Sequence, residues 1–167
     1  SFGVSILRND NTTAGVFAFS PATNITTGFQ PKAVAAGDIN GDGLPDLIIA
    51  NSNNDSTLGL AILKNKSTSG NISFAPQVSF ATGSDATDVA VADIDGDDNP
   101  DVIVVNQKSN TISVYRNTGK AGNITSASLS AKADFATGSK PKAIAVADVN
   151  GDGKVDVVVT NLKSNNI

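Results

Sequence analysis

Residues 36–51 read AGDINGDGLPDLIIAN, a run in which an acidic segment passes directly into an apolar one. Oxygen-bearing side chains recur at Asp38, Asn40 and Asp42, and Asp46 follows after a longer gap. Two glycines lie among them, and the apolar residues begin immediately after Asp46. This pattern admits three interpretations: a helix-flanked calcium loop, a solvated turn without a metal, or a different kind of metal loop.

The same pattern occurs three times at a constant spacing. The copies begin at Asp38, Asp93 and Asp148, and both steps along the chain are 55 residues. The segments before and after each copy align as well, so the period covers nearly the whole sequence. A repeat of this length predicts an array of similar structural units.

Each repeat contains four short segments with strand character and no amphipathic helix. The first segment precedes the acidic loop, and the second is the β-branched run that follows it. The third segments lie at residues 3–9, 58–65 and 111–117, and the fourth are predicted at residues 16–20, 74–81 and 129–136. Four strands per repeat are typical of a β-propeller blade. The sequence therefore predicts an all-β fold of four-stranded antiparallel blades, forming a single β-propeller segment over residues 1–167.

The chain begins on a third strand and ends just after a second strand. Residues 160–167 followed by residues 1–9 read like the continuous stretch 51–65, which predicts one blade split between the termini. Known propellers have about 4–8 blades, so three repeats are too few to close a ring. Two alternatives follow: two chains pair head to tail as a six-bladed homodimer, or the chain is part of a longer propeller.

Each acidic loop fits the pattern D-x-D/N-G-D-x-x-x-D, at residues 38–46, 93–101 and 148–156. The predicted side-chain ligands are Asp38, Asn40, Asp42 and Asp46 in the first loop; Asp93, Asp95, Asp97 and Asp101 in the second; and Asp148, Asn150, Asp152 and Asp156 in the third. A backbone carbonyl at the seventh position, from Leu44, Asn99 or Lys154, is predicted to add one more oxygen. Such all-oxygen sets suit Ca²⁺, which takes about 6–8 oxygen ligands in flexible geometry. The sequence predicts three Ca²⁺ sites.

The residues at the twelfth loop position exclude the helix-flanked calcium motif. That motif needs a bidentate Glu there, whereas this sequence has Ile49, Val104 and Val159 inside apolar runs. A turn without a metal is also disfavoured, because three or four clustered carboxylates repel one another. A calcium loop leading into a strand is the remaining interpretation.

The second loop departs from the other two at its sixth position. Gly43 and Gly153 occupy this position in the first and third loops, where a positive φ is easiest for glycine, but the second loop has Asp98. Asp tolerates the left-handed region better than most residues do. This loop also has four ligand carboxylates, so we expect it to bind Ca²⁺ at least as tightly as the others and to repel itself most when empty.

The amino-acid composition argues against several classes of partner and site. Acidic residues outnumber basic ones, 16 to 12, and the basic residues are scattered, which argues against nucleic acid as a partner. The chain has no Cys and no His, so disulfides, thiolate zinc sites and histidine catalysis are excluded. No apolar run is long enough for membrane insertion. The absence of Met predicts that the chain is processed or excised from a longer product.

The loops and the strands around them resemble the FG-GAP/VCBS repeat family, whose best-known relatives are the blades of integrin α-subunit propellers. The matching stretches are the three D-x-D/N-G-D loops, the apolar strand after each, the ATGS segment before them and the strand that ends in R/K-N. The resemblance implies a β-propeller with Ca²⁺ held between the first and second strands of each blade. It also implies a secreted, extracellular or cell-surface location and a role in ligand binding or adhesion.

Three functions are weighed on this basis. The favoured one is a non-catalytic, Ca²⁺-stabilised module that binds an unknown protein or glycan ligand or acts as a scaffold. A lectin is the first alternative, but the chain has no Trp and one Tyr, and five of its Phe residues are predicted to lie in the core: Phe17, Phe19, Phe74, Phe80 and Phe135.

A propeller polysaccharide lyase or hydrolase is the second alternative. Its acid or base candidates would be Tyr115, Asp134, Asp85, Asp88 and Lys142, each of which has an ordinary structural interpretation. No Ser–His or paired-Glu arrangement is available, so we expect no enzymatic activity.

Overall fold

The computed structural model describes residues 2–27, 30–52, 57–119 and 122–163. The regular secondary structure in these ranges consists of β-strands. The strands are β1 (Gly3–Ile6), β2 (Thr23–Thr26), β3 (Gln30–Gly37), β4 (Asp46–Ser52), β5 (Leu60–Leu63), β6 (Val78–Phe80), β7 (Ala86–Ala92), β8 (Asp101–Asn106), β9 (Thr111–Tyr115), β10 (Ala133–Ala136), β11 (Pro141–Ala147) and β12 (Asp156–Asn161). All the pairings among them are antiparallel. The all-β prediction is confirmed.

The strands form two complete blades and two half-blades. Blade 1 is the sheet β3-β4-β5-β6, and blade 2 is the sheet β7-β8-β9-β10. The N half-blade is the pair β1-β2, and the C half-blade is the pair β11-β12. This topology confirms the predicted four-stranded unit. The two half-blades are separate two-stranded sheets in this structure, so their joining into one split blade stays a prediction. Ser1 and residues 164–167, which entered that prediction, lie outside the described residues.

The first strand of each unit carries a bulge at the same repeat position. The register of the first hairpin shifts between Pro31 and Ala33, and the same shift occurs one and two repeats later. The extra residue is Lys32 in blade 1 and Lys142 in the C half-blade. A bulge bends the strand and turns one side chain out of the ladder. The recurrence of Lys32 and Lys142 is therefore explained by blade geometry.

The hydrophobic core lies between neighbouring sheets, and β8 shows how the sequence produces it. Side chains alternate between the two faces of a strand. Val102 and Val104 belong to the cluster shared with blade 1, whereas Ile103 and Val105 belong to the cluster shared with the C half-blade. All four are fully buried. A strand covered on both faces needs a continuous β-branched run, which is the sequence found after each acidic loop.

In blade 1, alternate residues of the second strand also pack into clusters on opposite faces of the sheet. Ile48 and Ala50 of β4 pack in the cluster shared with blade 2, and Ile49 packs against Val4 and Ile25 of the N half-blade. Each fully buried Ile or Val side chain contributes roughly 1.5–3 kcal/mol relative to exposure in water. Three such clusters therefore connect the four sheets into one row.

The fourth strand of the first repeat differs from the prediction. It was predicted at residues 16–20, but the structure places β2 at Thr23–Thr26, and Phe19 forms only an isolated bridge with Asn9. Phe74 and Leu129 form the corresponding bridges in blades 1 and 2. The apolar run at residues 16–20 thus lies near the end of the connection between the third and fourth strands, and Thr-rich residues form the strand itself.

The prediction of five core Phe residues is only partly correct. Phe80 is buried and Phe74 is partly buried, but Phe17, Phe19 and Phe135 are exposed by 90%, 57% and 54%. Phe17 and Phe19 lie in the connection that bears no strand, and Phe135 lies on β10, whose residues are all exposed. A strand pattern alone does not reveal whether a neighbouring sheet covers it.

Tyr115 fastens blade 2 to blade 1. Its side chain is 2% exposed, its hydroxyl donates a hydrogen bond of 2.5 Å to the carbonyl of Ala81, and its ring meets Phe80 edge-on at 6.5 Å. Burial raises the pKa of the Tyr115 phenol, which keeps it protonated as a donor. These contacts give Tyr115 an ordinary structural role, as a strand residue packed between blades.

Replacing Tyr115 by Phe should lower the free energy of unfolding by about 0.5–1.5 kcal/mol, because the hydrogen bond is lost while the ring is kept. Tyr115→Ala should cost about 3–5 kcal/mol, because it also leaves a cavity. Urea unfolding of both variants beside the parent chain measures the difference. A Phe variant as stable as the parent would contradict the role of the hydroxyl.

Candidate metal centres

Each acidic loop connects the first and second strands of its unit. The loops lie between β3 and β4, between β7 and β8, and between β11 and β12. The chain can turn so tightly because the fourth and sixth positions adopt positive φ in all three loops. At the sixth position Gly43 and Gly153 both have φ of 85°, and Asp98 has φ of 66°, so the expectation that Asp98 adopts this conformation is confirmed.

The first Asp of each loop organises the turn. In the first loop, the carboxylate of Asp38 accepts hydrogen bonds from the backbone N–H groups of Asp42 at 3.1 Å and Gly43 at 2.7 Å. Asp93 and Asp148 accept the equivalent bonds in the other loops. Bonds from backbone N–H groups, with Gly153 the strongest, lower the pKa of Asp148 below its usual value.

The fifth position is also fixed by the backbone. The carboxylates of Asp42, Asp97 and Asp152 each accept the N–H of the seventh residue, at 3.0, 2.9 and 2.9 Å. This bond lowers the pKa of Asp42 and of Asp97, so both are ionised at neutral pH. Leu44, Asn99 and Lys154 therefore have their N–H groups engaged, and the role predicted for their carbonyl oxygens stays a prediction.

The last Asp of the loop joins three strands. Asp46 accepts the N–H of Ile39 in its own loop at 3.0 Å and the N–H of Asn65, just beyond β5, at 2.8 Å. Asp101 does the same with Ile94 at 3.0 Å and with Asn117, just beyond β9, at 2.8 Å. Each of these carboxylates ties the first hairpin of its blade to the end of the third strand.

Burial distinguishes these two carboxylates from the rest of the loops. Asp46 and Asp101 are 0% and 2% exposed. Burial raises the pKa of Asp46 above its usual value, although the bonds from Asn65 and Ile39 oppose the shift. A buried anion held by only two N–H donors favours a cation beside it.

The second loop gathers three carboxylates. Oxygen atoms of Asp93, Asp95 and Asp101 lie within 4.8 Å of one another, and no other such trio occurs in the described part of the chain. The first and third loops have Asn40 and Asn150 where the second has Asp95. Asn40 and Asn150 instead direct the amide nitrogen to Asp42 and Asp152, so either side chain would have to turn over to present its oxygen to a cation.

Two of the loops each form an ion pair with a basic side chain from the end of the third strand. Lys64 lies 3.2 Å from Asp42, and Arg116 lies 2.5 Å from Asp95 and 3.0 Å from Asp97. The expectation that the second loop repels itself most did not include Arg116. Its guanidinium offsets the additional carboxylate, and it also pairs with Asp97, which lies outside the trio.

The first loop is also held by blade 2. The side-chain amide of Asn117 donates to the carbonyl of Ile39 at 2.9 Å, and the amide of Asn40 donates to the carbonyl of Gly122 at 2.7 Å. Asn40 and Asn117 are each 3% exposed. The loop of one blade thus packs directly beneath the connection between β9 and β10 of the next blade.

The residues behind the loops were not predicted as part of the site. Asn65 and Asn117 hold the last Asp, and Lys64 and Arg116 neutralise the loop. The signal was present in the sequence, because every third strand ends in a basic residue followed by Asn. Their function depends on a contact between distant segments, which the repeat pattern alone does not show.

The candidate catalytic residues can be placed individually in the fold. The carboxylate of Asp134 accepts the hydroxyl of Ser113, Asp85 accepts the hydroxyl of Ser52, and Asp88 accepts the N–H of Ile144. Tyr115 is engaged with Ala81, and Lys142 is the exposed bulge residue of β11. Each contact described here supports strands or neighbouring blades.

Comparison with known families agrees with this geometry. The model of the FG-GAP-like repeat matches residues 3–49, 38–104 and 93–159. The chain belongs to the FG-GAP-like repeat family. In this FG-GAP-like chain the first match begins at a third strand, and the other two begin at an acidic loop. Each match ends within the second strand of the next unit, so it includes the acidic loop of that unit. A search of curated proteins gives no match.

Replacing Asp101 by Asn should lower the free energy of unfolding by about 1–3 kcal/mol even without a metal, because the amide can accept from only one of the two buried N–H groups. Asp98→Asn in the same loop removes the same charge from an exposed residue that keeps its left-handed backbone, and should change stability by less than about 0.5 kcal/mol. Urea unfolding in EDTA compares the two. Equal losses would contradict the bridging role of Asp101.

Proposed function

We propose that this chain is a non-catalytic, Ca²⁺-binding β-propeller module that presents a surface to an extracellular protein or glycan ligand. The observation that supports it most is the trio of Asp93, Asp95 and Asp101, whose oxygens converge within 4.8 Å in a loop that occurs three times. FG-GAP repeats often bind Ca²⁺. The assignment of three sites, one per loop, is part of the proposal.

The donor set fits Ca²⁺ better than other metals. Every side chain at the ligand positions offers a carboxylate or amide oxygen, and hard oxygen donors select Ca²⁺ or Mg²⁺ over softer metals. Ca²⁺ accepts irregular geometry, whereas Mg²⁺ requires a near-ideal octahedron. In the second loop Asp93, Asp95, Asp97 and Asp101 would hold the ion, with the carbonyl of Asn99. The corresponding residues would hold it in the other loops.

The ion would act as a structural clamp. It supplies positive charge that offsets repulsion among the loop carboxylates. Asp93 belongs to the turn after β7, and Asp101 opens β8 and is bonded to Asn117 at the end of β9. A cation held between these two carboxylates would therefore fix the relative positions of three strands. Nothing in this role requires a reacting substrate.

The extracellular placement rests on the family and on affinity. FG-GAP repeats are typical of extracellular proteins, and calcium modules outside the cell bind with Kd of about 10⁻⁴–10⁻³ M. No helix in the described ranges is long and apolar enough to cross a membrane. The ligand would be a protein or a glycan. The chain has no Trp and its single Tyr is buried, so a sugar would find few stacking surfaces.

Chelating Ca²⁺ should lower the melting temperature, because an ion that binds the folded state adds about 2.7 kcal/mol per site at a hundred times its Kd. Isothermal titration should give three ions per chain. Asp38→Ala, Asp93→Ala or Asp148→Ala should each leave two, and Asp98→Asn should leave three. An unchanged melting temperature in EDTA, together with no binding heat, would rule out the calcium proposal.

Replacing Arg116 by Gln should tighten Ca²⁺ binding to the second loop by up to about fivefold at low salt. The guanidinium competes for Asp95 and Asp97, and exposed ion pairs of this kind contribute about 0.2–1 kcal/mol. Lys64→Gln should do the same for the first loop. The gain should shrink as salt is raised, because screening weakens the same interaction. Weaker binding by the Arg116 variant would show that Arg116 supports the ion.

A further inference from the structure

The third acidic loop lacks the support that the other two receive. Asp156 accepts the N–H of Val149 at 2.9 Å, as Asp46 and Asp101 accept theirs. In the described residues β12 pairs only with β11, so no third strand brings an Asn N–H to its other oxygen. Asp156 is accordingly only partly buried, and no basic residue pairs with this loop in the described chain.

A third strand that ends in a basic residue followed by Asn is present near the amino terminus. Residues 4–9, VSILRN, align with 60–65, LAILKN, and with 112–117, ISVYRN. Arg8 and Asn9 are therefore equivalent to Arg116 and Asn117. In the single chain Arg8 turns instead to Asp10, at 2.8 Å, and 46% of its side chain is exposed.

The two complete blades define how β1 would lie beside β12. In blade 1 Leu47 pairs with Leu63, and in blade 2 Val102 pairs with Tyr115. Transferred by repeat position, both registers place Val157 opposite Leu7. Agreement between two independent blades fixes a single register for a β12–β1 pair.

The polar residues of this pair match those of blade 2. Asn106 donates to the hydroxyl of Ser113 at 2.8 Å. The equivalents are Asn161 and Ser5, so the inferred pair would place the Ser5 hydroxyl where it can accept from the side-chain amide of Asn161. In blade 2 this bond is buried between the second and third strands, and the inferred pair would give Asn161 the same kind of acceptor.

A second, independent observation is that four exposed apolar residues have repeat equivalents that are buried between blades. Leu7, Val34, Phe135 and Val158 are 55%, 49%, 54% and 47% exposed. Their repeat equivalents Tyr115, Val89, Phe80 and Ile103 are 2%, 7%, 9% and 0% exposed, and all four lie in clusters between neighbouring sheets. The exposed residues occupy positions that a neighbouring blade covers elsewhere in the same molecule.

We propose that a second copy of this chain covers these residues, with its β1 paired to β12 and its Arg8 and Asn9 completing the third acidic loop. The C half-blade of one copy and the N half-blade of the other then form a whole four-stranded blade. Two copies related by a two-fold axis form two such blades and close a ring of six, which lies within the range of known propellers. Leu7 and Phe135 meet across this contact as Tyr115 and Phe80 do within the chain.

Association is tested by sedimentation equilibrium of the full chain in EDTA and in Ca²⁺. One chain is 16.9 kDa, and we expect a particle of about twice that mass. The contact itself does not depend on metal, so dimers in both buffers support the pairing even if the calcium proposal fails. A monomer in both buffers, at concentrations well above micromolar, would overturn the inference.

Two variants test whether the contact is head to tail. Leu7→Asp places a charge on the N half-blade face, and Val158→Asp places one on the C half-blade face. Each variant alone should be monomeric, because every contact then contains one altered face. A mixture of the two should recover dimers, because one of its two contacts joins two unaltered faces. If the mixture stays monomeric while each variant remains folded by circular dichroism, the head-to-tail arrangement is wrong.

Cysteine pairs test the register, since the chain has no Cys of its own. Ser5 lies opposite Val159 in the inferred pairing, so a chain carrying Ser5→Cys and Val159→Cys should oxidise to a covalent dimer. Ser5→Cys with Val157→Cys is the matched control, because residues two positions out of register lie about 7–8 Å apart, too far for a disulfide. Cross-linking of the control as efficient as that of the in-register pair would overturn the assigned register.

Discussion

Each complete blade depends on one carboxylate that accepts hydrogen bonds both from its own loop and from the residue that follows the third strand. Asp46 and Asp101 are buried because the strands close over them, and the strands close there because each carboxylate receives an N–H from its own loop and another from an Asn beyond the third strand. The acidic loop in front of this carboxylate and the sheet behind it are therefore one unit. Where the third strand is lacking, at Asp156, both burial and support are reduced.

Much of the fold follows from the sequence because a period of 55 residues repeats local patterns with strong physical causes. A strand buried on both faces requires a run such as that of Val102 to Val105, and a tight acidic turn requires residues that accept positive φ. The fourth strand of the first repeat was misplaced because Val16 to Phe19 are apolar, whereas β2 consists of Thr, Asn and Ile. Backbone pairing with β1 outweighs side-chain character there.

Only the oxygen-bearing residues within the acidic loops of the candidate site could be predicted from the sequence. The oxygen side chains of the loop could be named because ligand spacing is local in the chain. The contributions of Arg116 and Asn117 could not, because they approach from 19 and 16 residues away through the pairing of β8 with β9. The exposure of Phe135 likewise depends on which sheet faces β10, and no pattern within the repeat contains that information.

Asn117 links the acidic loops of two neighbouring blades. Its backbone supports Asp101 in its own blade, while its side chain donates to the carbonyls of both Pro100 and Ile39, the latter in the acidic loop of the preceding blade. A shift of Asn117 would therefore affect both loops, and each loop would influence the other to the same extent, because coupling between two sites is reciprocal. Lys64 and Asn65 make no such contact with the N half-blade among the bonds described for them. Among these bonds, the coupling joins the acidic loops of blades 1 and 2 and does not extend to the N half-blade.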